Sequence, residues 1–168
     1  MFVLGIDPGL TRCGYGAVAR EGATLRVVAA GVLTTAAGDE LPDRLAELQG
    51  RLRRLIAELA PAVVAVERVF FQVNARTAMS VGQASGLALA EASAAGCGVA
   101  QYTANEVKQA VTGFGGAPKE QVQRMVQAQL ALAARPGADA ADALALALCH
   151  HAMAPLRATV ARATRGRG

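Results

Sequence analysis

The chain has 168 residues, a net charge of +4 and an apolar fraction of 53%, although 39 of its residues are Ala. That length suits one domain whose core can form without disulfides or a structural metal, and no run of about 18 uncharged apolar residues is present to cross a membrane as a helix. Cys13, Cys97 and Cys149 are odd in number and far apart, with no C-x-x-C pair, which argues against a disulfide framework and a zinc site.

The cation surplus is a weak pointer to a polyanionic partner. Only Lys108 and Lys119 are lysines among 17 Lys and Arg residues, which singles them out. The opening MFVLGID lacks a basic n-region and a cleavage site, so no signal peptide is expected. Unpaired cysteines suit a reducing compartment, and the cytoplasm is the expected location.

Phe2 to Asp7 reads as a buried strand that ends in the turn Pro8-Gly9. Gly14 to Val18 and Leu25 to Val32 read as two more strands, and the short link through Glu21-Gly22 predicts an antiparallel hairpin. Leu41, Leu45, Leu48, Leu52, Leu55 and Leu59 recur at three- and four-residue spacing, which predicts an amphipathic helix over Leu41 to Leu59. Ala60-Pro61 stops it. Ala62 to Val66 is a continuous apolar run, typical of a parallel strand buried on both faces, with Glu67 at its carboxyl end.

Asn74 to Ala95 reads as a long helix rich in small residues, ended by Gly96-Cys97-Gly98, and Val99 to Tyr102 as a short strand. Helices follow over Ala104 to Val111 and Lys119 to Ala133, joined by a flexible Gly113-Phe114-Gly115-Gly116 loop that is expected to adapt to a partner. The last helix spans Ala138 to Ala152, and Arg157 to Gly168 is expected to be a frayed basic tail. Residues 1–155 are thus expected to form one domain and residues 156–168 a disordered tail. Three early strands followed by helix–strand alternation predict an α/β fold with a mixed five-stranded sheet flanked by helices. Ligands of such sheets sit beyond the carboxyl ends of the parallel strands.

Four acids stand out. Asp7 and Glu67 end strands, and Asp139 and Asp142 lie three apart, on one face of the last helix, among alanines. Burying an acid is costly unless something pairs with it. Each acid also has a plainer reading. Asp7 before Pro8-Gly9 suits an Asx turn, and Asp139 after Pro136-Gly137 suits a helix cap or dipole partner. Glu67 has the weakest alternative. If the four converge, mutual repulsion raises their pKa values. A hard divalent cation with oxygen ligands resolves that conflict, and magnesium is the usual choice. Two such ions about 3.5–4 Å apart are the arrangement used in phosphodiester hydrolysis.

Gly5-Ile6-Asp7-Pro8-Gly9, Gly14-Tyr15-Gly16, Val66-Glu67-Arg68-Val69-Phe70 and Ala138-Asp139-Ala140-Ala141-Asp142-Ala143-Leu144-Ala145 together resemble the bacterial Holliday junction resolvases, or crossover junction endodeoxyribonucleases. The likeness runs in order from about residue 2 to about residue 153. It implies a ribonuclease-H-like fold and a homodimer that binds a four-way DNA junction. That dimer nicks two opposing strands symmetrically, leaving 5′-phosphates, with a branch-migration helicase complex as partner. Carried over by match, Asp7, Glu67, Asp139 and Asp142 are catalytic, metal-binding carboxylates. They would hold two Mg2+ per subunit, with Mn2+ as a substitute. Phe70 matches an aromatic placed near the crossover, where it would stack on a base. Lys108 and Lys119 match basic positions near the scissile phosphate, where a lysine neutralises developing charge.

Phe71 departs from the family pattern and is expected to pack in the core or at the dimer interface. His150 and His151 are expected at the surface, favoured by the helix dipole. Three other readings compete. An actin-type ATP-binding protein needs a second Asp-x-Gly lobe and about twice this length. A ribonuclease-H-like nuclease acting on RNA would share the acids, but the Asp139–Asp142 pair and Phe70 favour the junction enzyme. A junction-binding module that does not cut is disfavoured by four intact acids.

Overall fold

The computed structural model describes residues 1–68 and 75–165, with the side chains of 75–77 and 155–165 excepted. Phe70 and Phe71 lie outside the described residues. The elements, in chain order, are β1 (Phe2–Asp7), β2 (Arg12–Glu21), β3 (Thr24–Thr34), α1 (Leu41–Leu59), β4 (Val63–Glu67), α2 (Ala75–Ala94), β5 (Gly98–Tyr102), α3 (Ala104–Thr112), α4 (Lys119–Gln129) and α5 (Ala138–Arg165).

The strands form one mixed sheet in the order β3-β2-β1-β4-β5. The β2–β3 hairpin is antiparallel, as the short link predicts, and its turn uses Gly22 at φ 62°. β1 runs antiparallel to β2 and parallel to β4, and β4 runs parallel to β5. Because side chains alternate along a strand, each strand feeds two cores. Leu4, Ile6, Val64 and Val66 pack with Leu48, Leu52 and Ile56 of α1 and with Ala84, Ala88 and Ala92 of α2. Val3, Val18, Ala65 and Tyr102 pack on the other face with α3, α4 and α5.

The same alternation turns Gly5, Gly14 and Gly16 toward α5. A Cβ on Gly5 would overlap the carbonyl oxygen of Ala143, and one on Gly14 the carbonyl of Asp139. The helix therefore lies backbone-to-backbone on β1 and β2, which no larger residue at these positions permits. Elsewhere local signals set the boundaries. Pro42 occupies the first turn of α1, where its missing N–H costs nothing. Ala60 closes that helix in the left-handed region at φ 45°. Thr103 and Glu106 form a reciprocal capping box on α3.

Three expectations are corrected. The final helix does not stop at Ala152 but continues to Arg165, through the segment expected to fray. Ala and Arg are among the better helix formers, and here propensity outweighs both the low apolar content and Pro155. The 113–116 loop is tied rather than free: Gln109 donates to Gly113 O (2.8 Å) and accepts from Gly115 N (3.0 Å), and Phe114 N donates to Thr112 Oγ1 (3.2 Å). His150 and His151 are buried, not exposed. His150 Nδ1 hydrogen-bonds Tyr102 OH at 2.8 Å, and His151 Nε2 donates to Val18 O at 3.0 Å. The helix end that would favour a charged histidine lies further on.

Candidate metal and nucleic-acid site

In the parallel pair β1–β4, Ile6 lies beside Val66, so the next residues, Asp7 and Glu67, end adjacent strands side by side. Both turn to the face that α5 covers. The close approach of α5 at Gly5 and Gly14 brings its first two turns over the same strand ends. Asp7, Glu67 and Asp142 consequently border one cleft of about 390 Å³. Lys108 from α3 and Lys119 from the start of α4 complete its rim, over an apolar lining that includes Val107 and Leu146.

Burial, followed by the negative charges of Asp142 and Glu67, pushes the Asp7 carboxyl from 3.8 up to about 7. Burial also raises Glu67, against the pull of its hydrogen bond with Asp7 and the charges of Lys119 and Lys108. The interaction between the two carboxyls raises Asp7 and lowers Glu67. The acids on α5 are compensated differently. Lys119 Nζ sits 2.7 Å from Asp142 Oδ2, and that contact raises the lysine's pKa. Arg12, at the start of β2, reaches Asp139 Oδ2 with both Nε (2.8 Å) and Nη2 (2.7 Å). Asp139 lies inside the first turn of α5, so it is not that helix's N-cap.

Of the residues singled out in the sequence, the structure brings Asp7, Glu67, Asp142, Lys108 and Lys119 to one cleft. Asp139 stands just outside its lining, close enough to raise Asp7 electrostatically. Phe70 is not described. The residue that sequence reasoning missed is Arg12. Its only local signal is a cation three residues after the turn that follows a strand-ending acid, and its partner is 127 positions away.

As placed, no three His, Cys, Asp or Glu side chains among the described residues form a group that would hold an ion at once. Asp142 is drawn to Lys119 and Asp139 to Arg12. The donor chemistry nonetheless fits a hard divalent cation. Every donor is a carboxylate oxygen, and the burial and the acid–acid repulsion that raise Asp7 are what such a cation offsets.

Comparison with known proteins identifies the family and the fold. The family model described as crossover junction endodeoxyribonuclease RuvC matches residues 3–150. The crossover junction endodeoxyribonuclease RuvC of Moorella thermoacetica is 50% identical over 158 residues, covering 94% of this chain and 95% of its own. That of Chloroflexus aggregans is 51% identical over 156 residues, covering 92% and 95%. Among solved structures, Thermus thermophilus RuvC in complex with Holliday junction substrate superposes with a TM-score of 0.87 at 39% identity, covering 93% of this chain and 96% of that one. The mixed sheet and its two helical layers are accordingly the ribonuclease-H-like fold.

Proposed function

Because the chain belongs to the crossover junction endodeoxyribonuclease RuvC family, we propose that it resolves Holliday junctions by nicking two opposing strands symmetrically. The observation that carries this reading is the meeting of Asp7, Glu67 and Asp142 with Lys108 and Lys119 in one cleft. In this reading Asp7, Glu67, Asp139 and Asp142 hold divalent metal, two Mg2+ per subunit, which Mn2+ can replace. When bound, the ions supply nucleophile activation and leaving-group stabilisation for phosphodiester hydrolysis. Asp7, at the end of the central strand, would hold a cation in its ionised form, its proton passing to solvent.

Lys108 and Lys119 approach the cleft from the α3–α4 side and neutralise charge building on the phosphate. Phe70, three residues beyond Glu67, stacks on a base at the opened crossover. Products carry 5′-phosphates. Symmetric nicking calls for a homodimer. The outward face of α2 supports one, since Met79 is 64% exposed and Gly82 and Gly86 beside it leave open space. A branch-migration helicase complex is the further partner, and the cytoplasm the place of action.

The test is a nicking assay on a synthetic four-way junction and a matching duplex, with magnesium or chelator. Paired cuts on the junction alone, dependent on magnesium, are expected. Asp7→Asn, Glu67→Gln and Asp142→Asn should each lower cutting by roughly 10²–10³-fold, the scale of losing one strong electrostatic contact in a transition state. Junction binding should survive. Amide variants that cut at the normal rate would overturn the site assignment. Cutting of RNA would move the substrate, and tight binding without cutting would favour a binding module.

A further inference from the structure

Two ion pairs bracket Asp7. On the α3–α4 side, Lys119 engages Asp142. On the β2 side, Arg12 engages Asp139 through two nitrogens converging on one oxygen. Resting on the function proposed above, we infer that Arg12 is a second-side phosphate clamp: it leaves Asp139 when a cation takes that carboxylate, and it then binds a backbone phosphate of the DNA.

Three observations lead there. First, the guanidinium is 60% exposed while Asp139 is 28% exposed, so the pair sits at the mouth of the site rather than in the core. Such exposed pairs are weakly held and exchange readily. Second, both contacts fall on Oδ2, so one Arg12 nitrogen and Asp139 Oδ1 are not used in the pair. Arginine presents a fork of donors that matches a phosphate. Third, the backbone that carries Arg12 is fixed. A Cβ on Gly9 would overlap Arg12 O, Thr35 donates to Leu10 O at 2.7 Å, and Arg44 donates to Thr11 Oγ1 at 2.7 Å. A release of Arg12 is therefore a side-chain swing from a rigid base. Once Asp139 is engaged by a cation, the guanidinium loses its counter-charge on the β2 side of the site, where a phosphate bound near Asp7 would supply a new one. A phosphate there would meet cations from both sides, and only the α3–α4 pair was evident from the sequence.

The experiment measures binding of labelled junction and duplex DNA against salt concentration, in chelator and in calcium as a non-cleaving stand-in cation. Wild type, Arg12→Gln and Arg12→Lys are compared. Each phosphate contact adds about 0.9 to the slope of log K against log salt. In calcium, Arg12→Gln should lose about one contact, so between 50 and 200 mM salt its affinity falls about threefold less than wild type. In chelator, where Arg12 stays on Asp139, the difference should shrink. Arg12→Lys should keep the wild-type slope. Equal slopes for wild type and Arg12→Gln in calcium would overturn the inference. So would a slope difference of the same size in both media, since Arg12 would then bind DNA without leaving Asp139. A thermal scan guards against misfolding, and a folded Arg12→Lys with the Arg12→Gln slope also overturns it. If wild type shows no preference for junction over duplex, the proposed function falls, while the duplex slopes still decide the role of Arg12.

Discussion

At the scale of single residues, the site is governed by where charge is compensated. Asp139 and Asp142 have cationic partners in direct contact, whereas burial and then the neighbouring acids raise the Asp7 pKa to about 7. Linkage gives this a sign. Below pH 3.8 the folded and unfolded chains both hold the Asp7 proton, and folding costs nothing there. Between 3.8 and about 7 the unfolded chain releases it while the folded chain does not, so stability falls as pH rises, and above about 7 the loss is complete. In chelator, Asp7→Asn should therefore melt higher than wild type, by little at pH 4 and by most at pH 8. A gain independent of pH would mean that Asp7 is not the titrating group. Burial lowers the His151 pKa below the usual histidine range, although sequence position suggested a surface histidine favoured by the helix dipole.

At the scale of elements, the site depends on how closely α5 lies on the sheet. Gly5→Ala places a methyl group against the Ala143 carbonyl. Overpacking of this kind costs about 1–3 kcal/mol, readable by urea denaturation. Nicking should fall as well, although no acid has changed, because Asp139 and Asp142 would lift away from Asp7. Gly50→Ala is the contrasting case. Gly50 lies within α1 and its Cβ would meet open space, so the change should stabilise by about 0.5–1 kcal/mol, the usual helix gain. If both variants have the same stability, close packing is not what these glycines provide. The element pattern was largely readable from periodicity, since hydrophobic spacing and turn residues act locally. Boundaries were less so. The end of α5 was missed by thirteen residues, from Ala152 to Arg165, because sparse apolar content was weighed above propensity.

At the scale of the whole molecule, the sheet joins segments from both ends of the chain into one site, and the proposed reaction needs two such sites. The α2 face with Met79, Gly82 and Gly86 is the expected seat of the second copy. Sedimentation should show two chains per particle. Gly86→Glu, which buries a charge in such a contact, should raise the dimer dissociation constant by at least about tenfold, equivalent to 1.4 kcal/mol. It should also leave single unpaired nicks on the junction. A Gly86→Glu protein that remains dimeric would place the interface elsewhere.

Residue order alone was enough for the strands and the principal helices, and it singled out the four acids and the two lysines as candidates. These are carried by periodicity, by turn chemistry and by short motifs whose members are neighbours in the chain. Convergence of Asp7 and Glu67 could be anticipated from strand ends, because adjacent parallel strands bring their carboxyl termini together. Which acid keeps a proton and which acids are paired could not be anticipated. The Arg12–Asp139 contact spans 127 positions, and burial of His150 and His151 depends on how α5 packs. Solvation and ion pairing are set by distances between segments remote in the chain, and those distances exist only once the chain has folded.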